Sequence, residues 1–254
     1  MKYLLKLSYL GTAYHGFQVQ PNVRTVQKEL CDAARSVFGM PLNVSGCSRT
    51  DSGVHALEFY CTAELVESGP NIPPDALFRA MNSALPHDIA VCAAQEVPDS
   101  FHVRYDVRCK EYEYRIWNAP VRDPFLKDRA FHFSGKLDAH KMHSAAQDFL
   151  GKHNFTSFMA QGSKITDPVR TVYTAGVRCE GNMICFCVSA DGFLYNMVRI
   201  MIGTLIDIGA GRINEKSIPC ILALENRDAA GATAPAHGLY LKTVSYCPEA
   251  GVRI

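Results

Sequence analysis

The 254 residues contain no apolar run of the ~20 residues a membrane-spanning helix needs. The opening stretch, "MKYLLKLSYLG", is a poor secretory signal. Lys6 interrupts its apolar residues, they alternate as in a strand, and no small-residue cleavage site follows. The ten cysteines include no CxxC pair, so neither a zinc ribbon nor a dithiol redox motif is written here. The closest two, Cys185 and Cys187 in "MICFCVSA", share one face of a strand. Cys31, Cys61 and Cys92 sit among apolar neighbours, which predicts buried free thiols in a reducing cytoplasm. His140 and His143 share a helix face, but no Cys or Glu nearby completes a metal set. Charge of one sign is not in excess: the net value is +1. Any nucleic-acid footprint must therefore be local, and the total neither supports nor excludes RNA.

What is present is a globular composition, 48% hydrophobic and 20% charged, on a chain long enough for one large domain or two small ones. Residues 2–10 alternate as a strand. "TVQKELCDAARSVFG" places Val26, Leu30, Ala33, Ala34 and Val37 at helical spacing and stops at Gly39. "LNVSGC" and "ALEFYCTAELV" read as strands, "PPDALFRAMNSAL" as a helix, and "DIAVCAAQEV" as a strand. The order then returns. "RYDVRCKEYEYRIWN" is a long strand. "KLDAHKMHSAAQDFLG" is a helix with Asp138 as N-cap and Gly151 just past its end. "VRTVYTAGVRCE" and "MICFCVSADG" form a hairpin turning at Gly181-Asn182. "FLYNMVRIMIGTLIDIG" is a helix and "GLYLKTVSY" the last strand. Each half reads strand, helix, strand, strand, helix, strand, the ferredoxin-like unit. The predicted class is α+β, with halves 1–104 and 105–254, antiparallel sheets that join, and a groove between the halves. Extra length near 118–136, 152–168 and 210–237 reads as loops or minor helices.

Four stretches in this frame could carry chemistry. In "CSRTDSGVHA", Asp51 follows a strand, precedes a turn at Ser52-Gly53, and has Arg49 two positions earlier. If the backbone stays extended, the two side chains point the same way. A guanidinium there would keep the carboxylate ionised, fit to act as nucleophile or base. The plainer alternative is a capped turn with a surface ion pair. "KEYEYR" sets Tyr112 and Tyr114 on one strand face with Lys110 and Arg115 beside them. That is either a stacking platform for a base or a face packed under a helix. In "DGFLYNMVRIMIG", Leu194, Met197, Val198, Met201 and Leu205 form an apolar stripe. Arg199 falls off it, either solvated or aimed into a cleft. "GTAYHGFQVQP" is rich in stacking and hydrogen-bonding groups, though its aromatics could simply cap the core.

Together, "GTAYHGFQVQP", "RTVQKEL", "SRTDSGVHA", "NSALPHDIAV", "SFHVRYDVRCKEYEYRIWN", "TDPVRTV", "DGFLYNMVRIMIGTL" and "APAHGLYL" resemble, in order from about residue 3 to 246, the TruA-type family of tRNA pseudouridine synthases. The resemblance implies two fused α+β halves, a homodimer, and a cytoplasmic enzyme. It implies pseudouridine formation in the anticodon stem-loop of tRNA, at positions 38, 39 and 40. It puts the catalytic aspartate at Asp51, the arginine of the same block at Arg49, the stacking tyrosine at Tyr112, and the basic partner of the aspartate at Arg199. Leu10, Phe17, Ser48 and Ser52 depart from the residues usual in the family, and none of them is among these four.

The implied reaction breaks the N1–C1′ bond of uridine, turns the base, and joins C5 to C1′. It requires no cofactor and no metal. Two other readings stay open on the residues alone: a non-catalytic RNA-binding α+β protein, and a synthase acting on another RNA. An aspartyl phosphotransferase would need a second carboxylate for Mg²⁺, and "SRTDSG" has none.

Overall fold

The alternation over residues 2–10 becomes β1 (Lys2–Tyr9), which buries Tyr3, Leu4, Leu5, Leu7 and Tyr9. The computed structural model describes residues 1–66, 69–163 and 165–254. They divide into two units, Met1–Arg108 with Leu241–Ile254, and Cys109–Tyr240. Among the described residues no helix is long and apolar enough to cross a membrane.

In the first unit, α1 (Val26–Phe38) starts where Thr25 accepts a bond from the Lys28 amide, and ends at Gly39. It buries Val26, Leu30, Ala33, Ala34 and Phe38; Val37, expected on that stripe, is only half-buried. β2 (Leu42–Gly46) and β3 (His55–Leu65) follow. Next come α2 (Pro74–Ala84), which buries Leu77 and Met81, and β4 (Ile89–Glu96). The strand order is β4-β1-β3, with β2 on the far side of β3, and every pairing is antiparallel. That is the ferredoxin-like arrangement expected of strand, helix, strand, strand, helix, strand.

In the second unit, β5 (Val107–Asn118) runs antiparallel to a later strand of the unit and parallel to the short β6 (Phe131–Phe133). Asp138 caps α3 (Ala139–Ala146), its carboxylate accepting from the His140 and Lys141 amides at 3.1 Å each. β7 (Gly151–Asn154) precedes the hairpin of β8 (Val169–Glu180) and β9 (Met183–Ala190). α4 (Met197–Gly209) and α5 (Ile218–Leu224) complete the helices. The order is β5-β9-β8-β7. β6, β7 and α5 lie in or at the edge of stretches expected as loops or minor helices; Lys164 of those stretches lies outside the described residues.

Three expectations need correction. The last strand, β10 (Leu239–Tyr246), belongs to the 105–254 half by sequence order, yet from Leu241 onward it packs in the first unit beside β3. There the Val244 amide donates to Glu58 and the Tyr246 hydroxyl donates to the Val103 carbonyl. Alternation decides which side chains of a strand face a core, not which neighbour the strand pairs with. Second, α4 has no single apolar stripe. It is buried nearly all round, and only Arg199 and Asp207 are less than fully covered. Third, Cys92 is exposed, because Ile89 and Val91 take the buried face of β4 and Ala90 and Cys92 alternate onto the solvent face.

Candidate active site

Asp51 is held by a turn of its own and by a second loop. The Val54 amide donates to the Asp51 carbonyl at 3.2 Å, and Gly53 between them has φ 79°. This is the geometry of a tight turn whose third residue must take a left-handed φ. The side chain of Asp51 is half-buried. The preceding Thr50 is buried, and its hydroxyl shares a 2.9 Å bond with the Tyr9 hydroxyl at the end of β1.

The second loop is "GTAYHGF", residues 11–17. The Phe17 amide donates to the Thr50 carbonyl at 3.3 Å, and the Gly53 amide and Ser52 hydroxyl both donate to the Tyr14 carbonyl. The Gly11 amide donates to Nδ1 of the buried His55 at 2.9 Å. Gly16 has φ 83°, and a Cβ there would run into the Thr50 carbonyl oxygen. The aromatics of this loop do cap the core. Tyr14 and Phe17 are buried, Phe17 stacks on Phe59 at 4.4 Å, and the Tyr14 hydroxyl donates to Asp88. Arg24 lies over the Tyr14 ring at 4.7 Å, and the Val26 and Gln27 amides bond to the Gly16 and Phe17 carbonyls at the start of α1. The scattered segments "GTAYHGF", "RTVQ", "RTDSGVH" and "PHD" thus form one clamp, and its product is a fixed backbone at Asp51.

Arg49 is placed otherwise than expected. Among the described residues no ion pair joins it to Asp51; Arg49 is exposed and lines a cavity of about 250 Å³ with Phe17, Ser48, His102, Arg104 and Tyr105. β2 stops at Gly46, so no strand carries the extended geometry that would align the two side chains through Arg49 and Asp51.

The other two residues lie in the second unit. Tyr112 and Tyr114 do share one face of β5. Tyr112 is 7% exposed, with its ring edge-to-face on Phe193 at 5.0 Å. A base stacking on it would need the half-buried Phe193 to yield. Tyr114 is fully buried and donates to the Pro235 carbonyl at 2.8 Å. Burial pushes its hydroxyl well above the ordinary phenol range, against the pull of Arg199.

Arg199 stands in the first turn of α4, where hydrogen bonds hold it in place. Its Nε donates to the Ala234 carbonyl at 2.8 Å, its Nη1 to Asn196 Oδ1 at 2.7 Å, and its own carbonyl accepts from the Ala234 amide. Asn196 takes a left-handed φ of 58° to begin the helix. The loop carrying Ala234 lies directly on α4. A Cβ at Gly203 would collide with the Ala232 carbonyl, and the Gly231 amide donates to Thr204 Oγ1 at 2.9 Å. Half-buried His237 follows in the same loop. Burial lowers its pKa, Arg199 adds to that, and Asp128 opposes it. This favours a neutral ring.

On the opposite face of β5, Glu113 is 3% exposed between Arg115 Nε at 2.8 Å and Arg178 Nη2 at 2.9 Å. Burial alone would raise its pKa. The two arginines outweigh burial and hold it below the usual carboxylate range. Arg115 also lies over the Tyr240 ring at 4.0 Å. Reading residues one at a time singles out neither Glu113 and Arg178 nor His102, Arg104, Tyr105 and His237, although all of these except Arg178 fall in segments that carry the resemblance.

Residues 7–106 and 145–247 match a family model described as tRNA pseudouridine synthase. The chain is 43% identical over 246 residues to the "tRNA pseudouridine synthase A" of Ruminiclostridium cellulolyticum, covering 96% of this chain and 99% of that protein. It is 43% identical over 242 residues to the protein of that name from Acetivibrio thermocellus, covering 95% and 98%. It is 41% identical over 248 residues to the one from Methylacidiphilum infernorum, covering 97% and 96%.

Proposed function

The chain belongs to the tRNA pseudouridine synthase family, and from that premise we propose that it converts uridine to pseudouridine in the anticodon stem-loop of tRNA, at positions 38, 39 and 40, with Asp51 as nucleophile or base. The observation that supports this best is the clamp on Asp51. A half-buried carboxylate on a turn fixed by a second loop is preorganised, and preorganisation lowers the cost of reaching the transition state.

Atoms balance without an outside reactant. The N1–C1′ bond breaks and the C5–C1′ bond forms, C5 gives up its proton, and N1 gains one. Asp51 either attacks the base or the sugar, or removes a sugar proton. The target base must first leave its stack, at a cost of a few kcal/mol. In this proposal Tyr112 supplies an aromatic surface for it, worth ~1–3 kcal/mol. Arg199 supplies a permanent positive charge that favours the anionic aspartate. The proposal requires both residues to reach the uridine that Asp51 addresses. Arg49, exposed beside a cavity, fits an RNA contact better than an orienting partner for Asp51. We place the enzyme in the cytoplasm as a homodimer.

The test is to map pseudouridine in tRNA transcripts after incubation with pure protein and no added cofactor. New pseudouridine confined to positions 38, 39 and 40 is the expected result. Modification of a ribosomal transcript in place of tRNA, or RNA binding without any pseudouridine, would overturn it.

A further inference from the structure

The first unit carries a group of outward-facing side chains to which the chemistry above gives no role. In the segment 101–106, Phe101 and Val103 point inward and are buried, while His102, Arg104 and Tyr105 point outward. The inward pair anchors the segment. Phe101 packs on Tyr246 with ring centroids 5.4 Å apart, and the Phe101 and Val103 carbonyls accept from Lys2 Nζ and the Tyr246 hydroxyl. The outward residues are set by local bonds. The Arg104 and Tyr105 amides both donate to His102 Nδ1, at 3.2 and 3.1 Å, and Asp106 closes the turn onto the His102 amide at 2.8 Å. Because Nδ1 accepts, a neutral His102 carries its proton on Nε2 and presents a donor. Tyr105 is 77% exposed, its ring 4.1 Å from that of His102. Left in water, so large an aromatic surface gains nothing for the fold.

These three residues and Arg49 line the same cavity of about 250 Å³. Two arginines, an imidazole donor and an open aromatic ring around one small cavity match one nucleotide of a single-stranded RNA: its phosphate on the guanidinium groups and its base or ribose against Tyr105. Arg49 belongs to the same loop as Asp51, two residues before it. We infer that His102, Arg104 and Tyr105, with Arg49, form a subsite for a nucleotide flanking the target, its backbone phosphate held by Arg104. This rests on the tRNA reading above. The subsite contributes affinity and register, so Arg104 and Tyr105 are binding residues, not catalytic ones.

The experiment compares wild type with Arg104→Ala, Arg104→Lys, Tyr105→Ala and Tyr105→Phe on a tRNA transcript, measuring tRNA affinity across a salt series and pseudouridine formation. Thermal unfolding confirms that each exposed substitution leaves the fold intact. Arg104→Ala should weaken binding on the order of tenfold and lower the slope of log affinity against log salt by about 0.7–0.9, with the loss falling in KM and not in kcat. Arg104→Lys should restore most of it. Tyr105→Ala should lose roughly tenfold and Tyr105→Phe little, since the ring survives. A methylphosphonate replacing single phosphates near the target should weaken wild type at one position and add nothing in Arg104→Ala. If folded Arg104→Ala and Tyr105→Ala bind tRNA as wild type does, or if the methylphosphonate losses add to Arg104→Ala at every position, the subsite is wrong. If wild type itself forms no pseudouridine in tRNA, the functional reading has failed first, and the two failures are distinct.

Discussion

Gly16 lies against Thr50 so closely that a Cβ on the glycine would overlap the threonine carbonyl oxygen and stand 3.3 Å from the Asp51 carbonyl carbon. With φ at 83°, no other residue suits the position on either count. Gly16→Ala should therefore destabilise the protein by about 1–3 kcal/mol. It should also cut pseudouridine formation at temperatures where the variant is still folded, because the displaced carbonyl belongs to the turn that carries Asp51. Thermal unfolding together with a single-turnover rate checks this. A stable variant with wild-type rate would show that the clamp does not set the position of Asp51.

Tyr112 is buried, its ring edge-to-face on Phe193. Tyr112→Ala should cost about 3–5 kcal/mol of stability through the cavity it leaves, so its loss of activity would say little by itself. Tyr112→Phe keeps the ring and should keep the fold and the tRNA affinity. A Tyr112→Leu variant that folds and binds tRNA but turns over as fast as wild type would remove the stacking role.

Arg199 bonds to the Ala234 carbonyl and to Asn196, two partners that fix its guanidinium. Arg199→Ala should lower kcat by about 10²-fold or more, the scale of losing a preorganised charge, with a much smaller change in tRNA affinity. Arg199→Lys keeps the charge but not the planar fork, and should fall between the two. Binding isotherms and single-turnover rates separate these effects. A loss confined to affinity would make Arg199 a phosphate contact.

Glu113 predicts the acid sensitivity of the second unit. Its folded pKa lies below the ordinary value of 4.5 because Arg115 and Arg178 outweigh the effect of burial. Its contribution to stability is thus fully present above pH 4.5 and is lost as pH falls through the folded value. Unfolding midpoints should drop across that window in wild type, and drop less steeply in Glu113→Gln. Equal slopes for the two proteins would assign the acid sensitivity to other groups.

Periodicity made much of the fold legible. β1, α1 and the β8–β9 hairpin carry complete patterns with their own stop signals, Gly39 and Gly181. β6 and β7 are too short for alternation to register, and α5 is too short for a helical stripe to show. α4 misled because Ile202 and Ile206, outside the expected stripe, are buried as well, and the distant Gly231–Ala234 segment lies against its Gly203 and Thr204. The site shows the same division. Asp51 and the segments that clamp it are readable because tight turns and close approaches demand particular residues, glycine above all. That Arg49 forms no ion pair with Asp51 among the described residues is not readable, because it depends on how the chain runs past the end of β2. Phe193 covering Tyr112, and β10 crossing back to the first unit, are long-range pairings that leave no local mark.

The central claim is that Asp51 carries the chemistry. Tritium release from tRNA labelled at uridine C5 reports it directly, since the C5 hydrogen is lost only when the C5–C1′ bond is made. Wild type should release tritium without any added cofactor. Asp51→Asn, matched in size and shown by thermal unfolding to be folded, should release none above background while still binding tRNA. Near-normal release by the folded variant would contradict the account.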